Sequence, residues 1–171
     1  METENLDIAA ALGNTETEDI EVWNMSLYDQ LTSLEGRINR LRYLVLNILA
    51  LVIAVVYAIV AGLLIGVVWV ITGLPEFVID FLFGLVLIPV VYITYAITIK
   101  RLYDTGRGGG WITYAQALCI LLIIWAMAPV GSTIEMSLDL ITSLMGIPLG
   151  IVCLFFGGDT GPNEFGPDPL G

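Results

Sequence analysis

Between residues 43 and 99 the chain carries no Lys or Arg, and its only acids there are Glu76 and Asp80. Few folds accommodate a stretch so long and so poor in charge. About 20 apolar residues in a helix cross about 30 Å of hydrocarbon, so uncharged runs of 18 or more read as membrane-spanning helices. Composition agrees: 13% of the 171 residues are charged, against about a quarter in ordinary soluble domains. The fold class expected is an all-α membrane protein.

Interruptions in the apolar runs divide the chain into four transmembrane helices. The first is expected over 43–71 and is long enough to tilt or project from the bilayer. "TGLPE" breaks it, with Pro75 suited to the first turn of the next helix. The second is expected over 77–99, kinked at Pro89, and the third over 111–128. The fourth, over 138–156, has "MGIPLG" near its middle, which admits either a continuous helix or a broken, re-entrant one. Ahead of the first span, Leu27, Leu31 and Leu34 recur at spacings of four and three, and Ser26 with Asp29 resembles a capping box. A short N-terminal interfacial helix is expected there, with Gly36 as a bend. The domains are then 1–24, an acidic disordered tail; 25–157, the four-helix transmembrane domain with its interfacial helix; and 158–171, a Gly/Pro-rich cytoplasmic tail. That last segment is expected to fold back over the cytoplasmic face with Phe165 as its anchor.

The net charge of −11 belongs mainly to the N-terminal tail, since nine of the seventeen acids lie in the first 35 residues. The six bases are distributed differently. Arg37, Arg40 and Arg42 precede the first span, and Lys100, Arg101 and Arg107 lie between the second and third. With four spans all six fall on one side, a chance outcome about one time in sixty, and the cytoplasmic side is the one that retains Lys and Arg. Both termini are therefore expected to be cytoplasmic. The acidic N-terminus lacks a signal-peptide pattern, so the first span is expected to act as the insertion signal. No basic surface of useful size exists for nucleic acid.

The chain has no histidine, and Cys119 and Cys153 sit in apolar runs, where thiols behave as small hydrophobes. No Ser-Lys pair, deep Asp pair or metal-ligand spacing is present, so no catalytic residues, cofactor or metal are expected, and the protein is not read as an enzyme. What stands out is a packing pattern. Ala50, Ala54, Ala58, Gly62 and Gly66 follow at intervals of four in the first span, and Gly146 and Gly150 repeat the spacing in the fourth. Small residues in register let helices approach closely in lipid. Asn47, Thr94, Thr98 and Gln116, near the cytoplasmic side, admit two readings: bonds to neighbouring groups, or the lining of a polar vestibule.

The connector "KRLYDTGRGGGW" holds half of the bases. Asp104 stands three residues from both Arg101 and Arg107. It is expected to pair with Arg101 across one helical turn, with Arg107 closing from the other side. Gly108, Gly109 and Gly110 then lead into a helix N-terminus, whose free N–H groups favour anions. Two readings fit. Either Arg101, Asp104, Arg107 and the three glycines hold an anionic lipid headgroup, or the connector is a tight basic turn that sets orientation.

Three segments in order, "GRINRLRYL", "KRLYDTGRGGGW" and "GPNEFGPDP", resemble the signatures of the domain of unknown function 805 family, also described as the YhaH-like inner membrane proteins. The resemblance covers about residues 33–169. It implies a small multi-span protein of the bacterial inner membrane, in a family without an established biochemical role. The chain departs from the family pattern at Lys100 (usually arginine), at Tyr103 (usually histidine), at "GGGW" in place of Ser-Gly-Trp, and at Glu164, where a base is common. Losing the histidine removes a group that titrates near neutral pH. The function expected is a non-enzymatic membrane component that binds membrane lipids, a membrane-protein partner or a second copy of itself as a homo-oligomer. The alternative is a small transporter or channel, against which stands the lack of ionisable groups deep in the spans.

Overall fold

The computed structural model describes residues 26–169. The expected disordered tail over 1–24 lies outside the described residues. Five helices follow in order: α1 (Leu27–Thr32), α2 (Arg40–Thr72), α3 (Glu76–Asp104), α4 (Gly110–Ala126) and α5 (Thr133–Phe155). Among the described residues there is no strand, only an isolated bridge between Asn163 and Gly166.

Each boundary has a local cause. Ser26 Oγ accepts from the Asp29 N–H at 3.1 Å and starts α1. The chain bends at Gly36, and Asn39 Oδ1 then caps α2 through the Arg42 N–H at 2.8 Å. Gly73 closes α2, its N–H reaching the Trp69 carbonyl at 2.8 Å, and Pro75 stands just before α3. The start of α5 differs from expectation by about five residues. Ser132 Oγ accepts from the Glu135 N–H, and Glu135 Oε2 accepts from the Gly131 N–H at 2.8 Å, so the Ser-x-x-Glu of "STIE" starts the helix before its apolar stretch. Through Gly146 and Pro148, α5 is continuous, which settles the choice against a broken helix.

Arg37 and the ends of α3 and α5 meet at one end of the molecule, and Gly84 of α3 packs on Ala126 and Met127 at the other. Helices α2 to α5 therefore alternate in direction. Three of them, α2, α3 and α5, are long and apolar enough to cross a membrane. The fourth, α4, has 17 residues, about 25 Å at 1.5 Å per residue, and returns between the same two ends. The architecture is that of a multi-pass membrane protein.

Surface and core are arranged accordingly. From Leu51 to Ile71 most side chains of α2 are exposed and apolar, the surface suited to a hydrocarbon solvent. Within that stretch Ala54, Ala58, Gly62 and Gly66 are half-buried, and Ala50, one turn before it, is buried. The positions at intervals of four are thus less exposed than most of their neighbours on α2. Two buried clusters exist, and both lie toward the end where the bases gather. One joins Leu31, Leu46, Ala50 and Ile97 of α1, α2 and α3 with Ile38 from the link before α2. The other joins α3, α4 and α5 through Ile99, Leu102, Ala115, Leu118, Leu149, Val152 and Cys153.

Candidate functional site

Three of the six bases, Arg37, Lys100 and Arg101, are fully buried at 0% exposure. A buried cation is tolerated only when its hydrogen bonds are made within the protein. Lys100 projects from the last turns of α3 toward α1, where its Nζ donates to the carbonyls of Asp29 and Gln30 at 3.2 and 2.5 Å. The lysine thus ties α3 to the last turn of α1, sharing the Asp29 carbonyl with the Ser33 N–H. Tyr92 adds to this by donating its hydroxyl to the Thr32 carbonyl at 2.9 Å. The expected interfacial helix is thus docked along the flank of α3.

Arg101 does the same for α5. Its Nε donates to the Cys153 carbonyl at 2.8 Å, its Nη2 to the Phe156 carbonyl at 2.6 Å, and its Nη1 to the Ile38 carbonyl at 3.5 Å. Nη1 also pairs with Asp104 Oδ2, the i,i+3 contact expected across one helical turn. Every nitrogen of the Arg101 guanidinium thus has a partner inside the protein. This bears on the sequence reading that assigned Arg101 to a headgroup: the side chain sits beneath the surface, tying α3 to α5.

The partner on the other side of Asp104 is Arg37, not Arg107. Arg37 Nη2 lies 3.2 Å from Asp104 Oδ1. The local reason is the end of α3. Gly106 takes a left-handed conformation at φ +63°, the Gly106 N–H returns to the Tyr103 carbonyl, and the Arg107 N–H returns to the Leu102 carbonyl. This is a Schellman closure, which turns the chain away before Arg107. Its guanidinium instead lies 4.1 Å over the ring of Phe156, a cation–π contact.

Arg37 also gathers the C-terminal segment 157–169, here called the strap. Its Nη1 donates to the carbonyls of Gly161 and Gly166 at 2.8 and 3.3 Å, and its Nη2 to that of Asp159 at 2.7 Å. Both glycines have positive φ, +80° and +135°, and each precedes a proline. The two Gly-Pro steps turn their carbonyls toward the same guanidinium. The strap folds back over this end as the Gly/Pro pattern suggested. Asp159 donates its N–H to the Asp104 carbonyl at 2.7 Å, Asn163 Nδ2 donates to the Tyr103 carbonyl, and Phe165 stacks on Tyr103 with centroids 4.2 Å apart. Tyr103, standing where the family pattern has histidine, is therefore a platform for the strap.

The remaining candidates are dispersed. Gly109 and Gly110 are exposed, Gly108 and Arg107 are half-buried, and α4 starts at Gly109 without a side-chain cap. Gly62 lies 3.9 Å, by its absent Cβ, from Phe83, whereas Gly66, Gly146 and Gly150 have no neighbour within 4 Å of that position. The tightest helix approach involves Gly84, where a Cβ would stand 2.6 Å from the Ala126 carbonyl oxygen. No spacing singled that residue out. Asn47 and Thr98 donate to carbonyls four residues earlier on their own helices, as does Thr94. Thr98 is buried while Thr94 and Gln116 are exposed; Asn47, Thr94 and Thr98 bond their own helices, and Gln116 meets the Tyr95 hydroxyl of α3. Among the described residues, no three His, Cys, Asp or Glu side chains are grouped to hold a metal.

Arg37 was read from sequence only as an orientation charge, and nothing near it in the chain announces its partners. The available signal was the set of three resembling segments, because Arg37, Asp104 and Gly161–Gly166 each come from a different one. The structure folds those three segments onto one another. No curated protein matches the chain, and no solved structure does. A family model matches residues 31–167, from the end of α1 to the strap, and so takes in all three segments of the buried cluster. By that match the chain belongs to the family described as Protein of unknown function (DUF805).

Proposed function

We propose that the protein is a non-enzymatic component of the bacterial inner membrane, with its basic end in the cytoplasm, where it binds anionic lipid headgroups. One observation carries the reading. The bases at this end are divided in two: Arg37, Lys100 and Arg101 are enclosed, while Arg40 is exposed, Arg42 half-buried, and Arg107 half-buried beside the uncapped start of α4. Arg101 and Asp104 then serve as the frame that presents the connector. Arg107 and the backbone of Gly108, Gly109 and Gly110 are the groups that meet the phosphate, by charge and by free N–H donors.

Each base near an anionic surface contributes about 1 kcal/mol. Arg107→Ala is therefore expected to lower retention of phosphatidylglycerol in native mass spectrometry about fivefold. Equal retention by the variant and the wild type contradicts the reading. Partner proteins or further copies of the chain remain compatible with the apolar surface of α2, and co-purification in native lipid discs identifies them. A transporter or channel is the second reading, supported by a cleft of about 360 Å³ at the opposite end lined by Trp69, Glu76, Ile79, Asp80 and Val130. Cation flux in proteoliposomes that is lost in Asp80→Asn favours it over headgroup binding.

A further inference from the structure

After Arg107 the chain carries no Lys or Arg, although α5 and the strap are still to come. The strap holds three acids, Asp159, Glu164 and Asp168, and no base. The orientation of a span is read from the Lys and Arg beside it, and acids contribute little. Nothing in the flanks of α5 therefore assigns its two ends to sides of the membrane. This helix is also the least apolar of the three long spans, with Glu135 and Asp139 in its first two turns and Pro148 inside it.

The structure brings bases to this segment from elsewhere in the chain. Arg101 of α3 donates to the carbonyls of Cys153 and Phe156, and Arg37, ahead of α2, donates to those of Asp159, Gly161 and Gly166. Two fully buried guanidiniums thus take five backbone carbonyls from the end of α5 and the strap. These bonds form only when the end of α5 lies on the side that holds Arg37 and Arg101. With that end on the far side, both cations would be short of acceptors, and an unsatisfied buried charge is costly.

We propose that Arg37 and Arg101 orient the last span from a distance, holding the strap on the cytoplasmic side in place of the bases that α5 lacks. The first arginine precedes the first span and the second ends the second span, so both are in position before α5 is made. The device rests on the cytoplasmic placement of the basic end given above and is independent of headgroup binding. It gives the buried cluster a role in assembly: the last span is accepted in one orientation, the one that completes the bonds of two cations already in place.

The test reads sidedness in cells with a membrane-impermeant maleimide on the full chain. Two reporters are used one at a time at exposed positions, Thr160→Cys in the strap and Glu35→Cys ahead of α2. Cys119 and Cys153 lie within α4 and α5 and set the background. With no other change, both reporters are expected to be labelled only after the cells are opened. Arg37→Gln is expected to raise outside labelling of Thr160→Cys about tenfold and to leave Glu35→Cys as it was. Arg40→Gln removes the same charge from the same flank of α2, at an exposed side chain, and should change neither. Arg37→Lys keeps the charge without the fork that reaches the three strap carbonyls, so it too should raise labelling of Thr160→Cys. Adding Glu164→Lys, a base beside α5 itself, should reverse both increases. Protection of Thr160→Cys in both Arg37 variants overturns the proposal. An equal rise in Arg40→Gln overturns it as well, because simple charge counting then accounts for the orientation of α5. Glu35→Cys labelled from outside in the otherwise unchanged chain means that the basic end is not cytoplasmic, a failure of the placement that is seen before any Arg37 variant is made.

Discussion

At the basic end, three cations are enclosed and bond carbonyls of α1, α5 and the strap, with Asp104 between two guanidiniums and the Arg37 Nε left without a partner. At the opposite end, Glu76, Asp80, Glu135 and Asp139 stay exposed or half-buried. Glu135 takes the Gly131 N–H and Asp80 takes the Val130 N–H, each at a neighbouring loop. Both buried apolar clusters lie toward the basic end, while the far half holds Ala61, Gly84, Ala128 and Thr142 as its buried positions. The contrast shows two ways of finishing helices. One end satisfies helix termini by long-range side chains, so that the termini of the domain depend on each other. The other satisfies them mainly by caps within a few residues, with the exposed Asp80–Val130 contact as a long-range tie.

The comparison predicts unequal responses to similar changes. The largest is expected for Asp104→Ala, which leaves two buried guanidiniums without their carboxylate. Removing one partner of a buried ion pair costs about 3–5 kcal/mol, read as loss of unfolding free energy in mixed micelles. Next comes Arg37→Lys, which keeps the charge and loses the planar fork that reaches three strap carbonyls and Asp104. A loss of about 2 kcal/mol is expected, with strap exchange accelerated. Gly84→Ala sharpens the picture of the far half. Its Cβ would stand 2.6 Å from backbone at Ala126, so about 1–3 kcal/mol is expected from overpacking. Gly146→Ala, with open space at the same position, serves as its near-neutral control. The smallest effect belongs to Asp80→Asn, which retains an acceptor for the Val130 N–H and is expected to cost less than about 1 kcal/mol. A loss at Asp80 as large as that at Asp104 would erase the distinction between the two ends.

Much of this was legible because membrane helices announce themselves locally. Uncharged runs, "TGLPE" with Pro75, and the bend at Gly36 ahead of α2 act within a few residues, and their spacing survives in one dimension. The Asp104–Arg101 pair was equally visible, being one helical turn apart. Phe165 was identified as an anchor because it is the one aromatic side chain among the glycines and prolines of its segment. The start of α5 was misplaced because apolar content was followed instead of the Ser132–Glu135 cap. Arg37 was missed for a different reason. Its partners lie far along the chain, in Asp104 and the strap, and a charge before a first span looks the same whether it faces lipid or a carboxylate. Likewise, Arg107 and Arg101 looked symmetric about Asp104 until Gly106 turned the chain between them.

The direct test of the mutual dependence at the basic end is a double-mutant cycle on Arg37→Gln and Asp104→Asn, followed by equilibrium unfolding in mixed micelles. If one buried cluster joins the start of α2, the end of α3 and the strap, the two substitutions should be coupled by about 2 kcal/mol, the double variant losing less than the sum. Losses that add to within about 0.5 kcal/mol would mean that Arg37 and Asp104 act separately, and the account of this end as a single locked unit would be wrong.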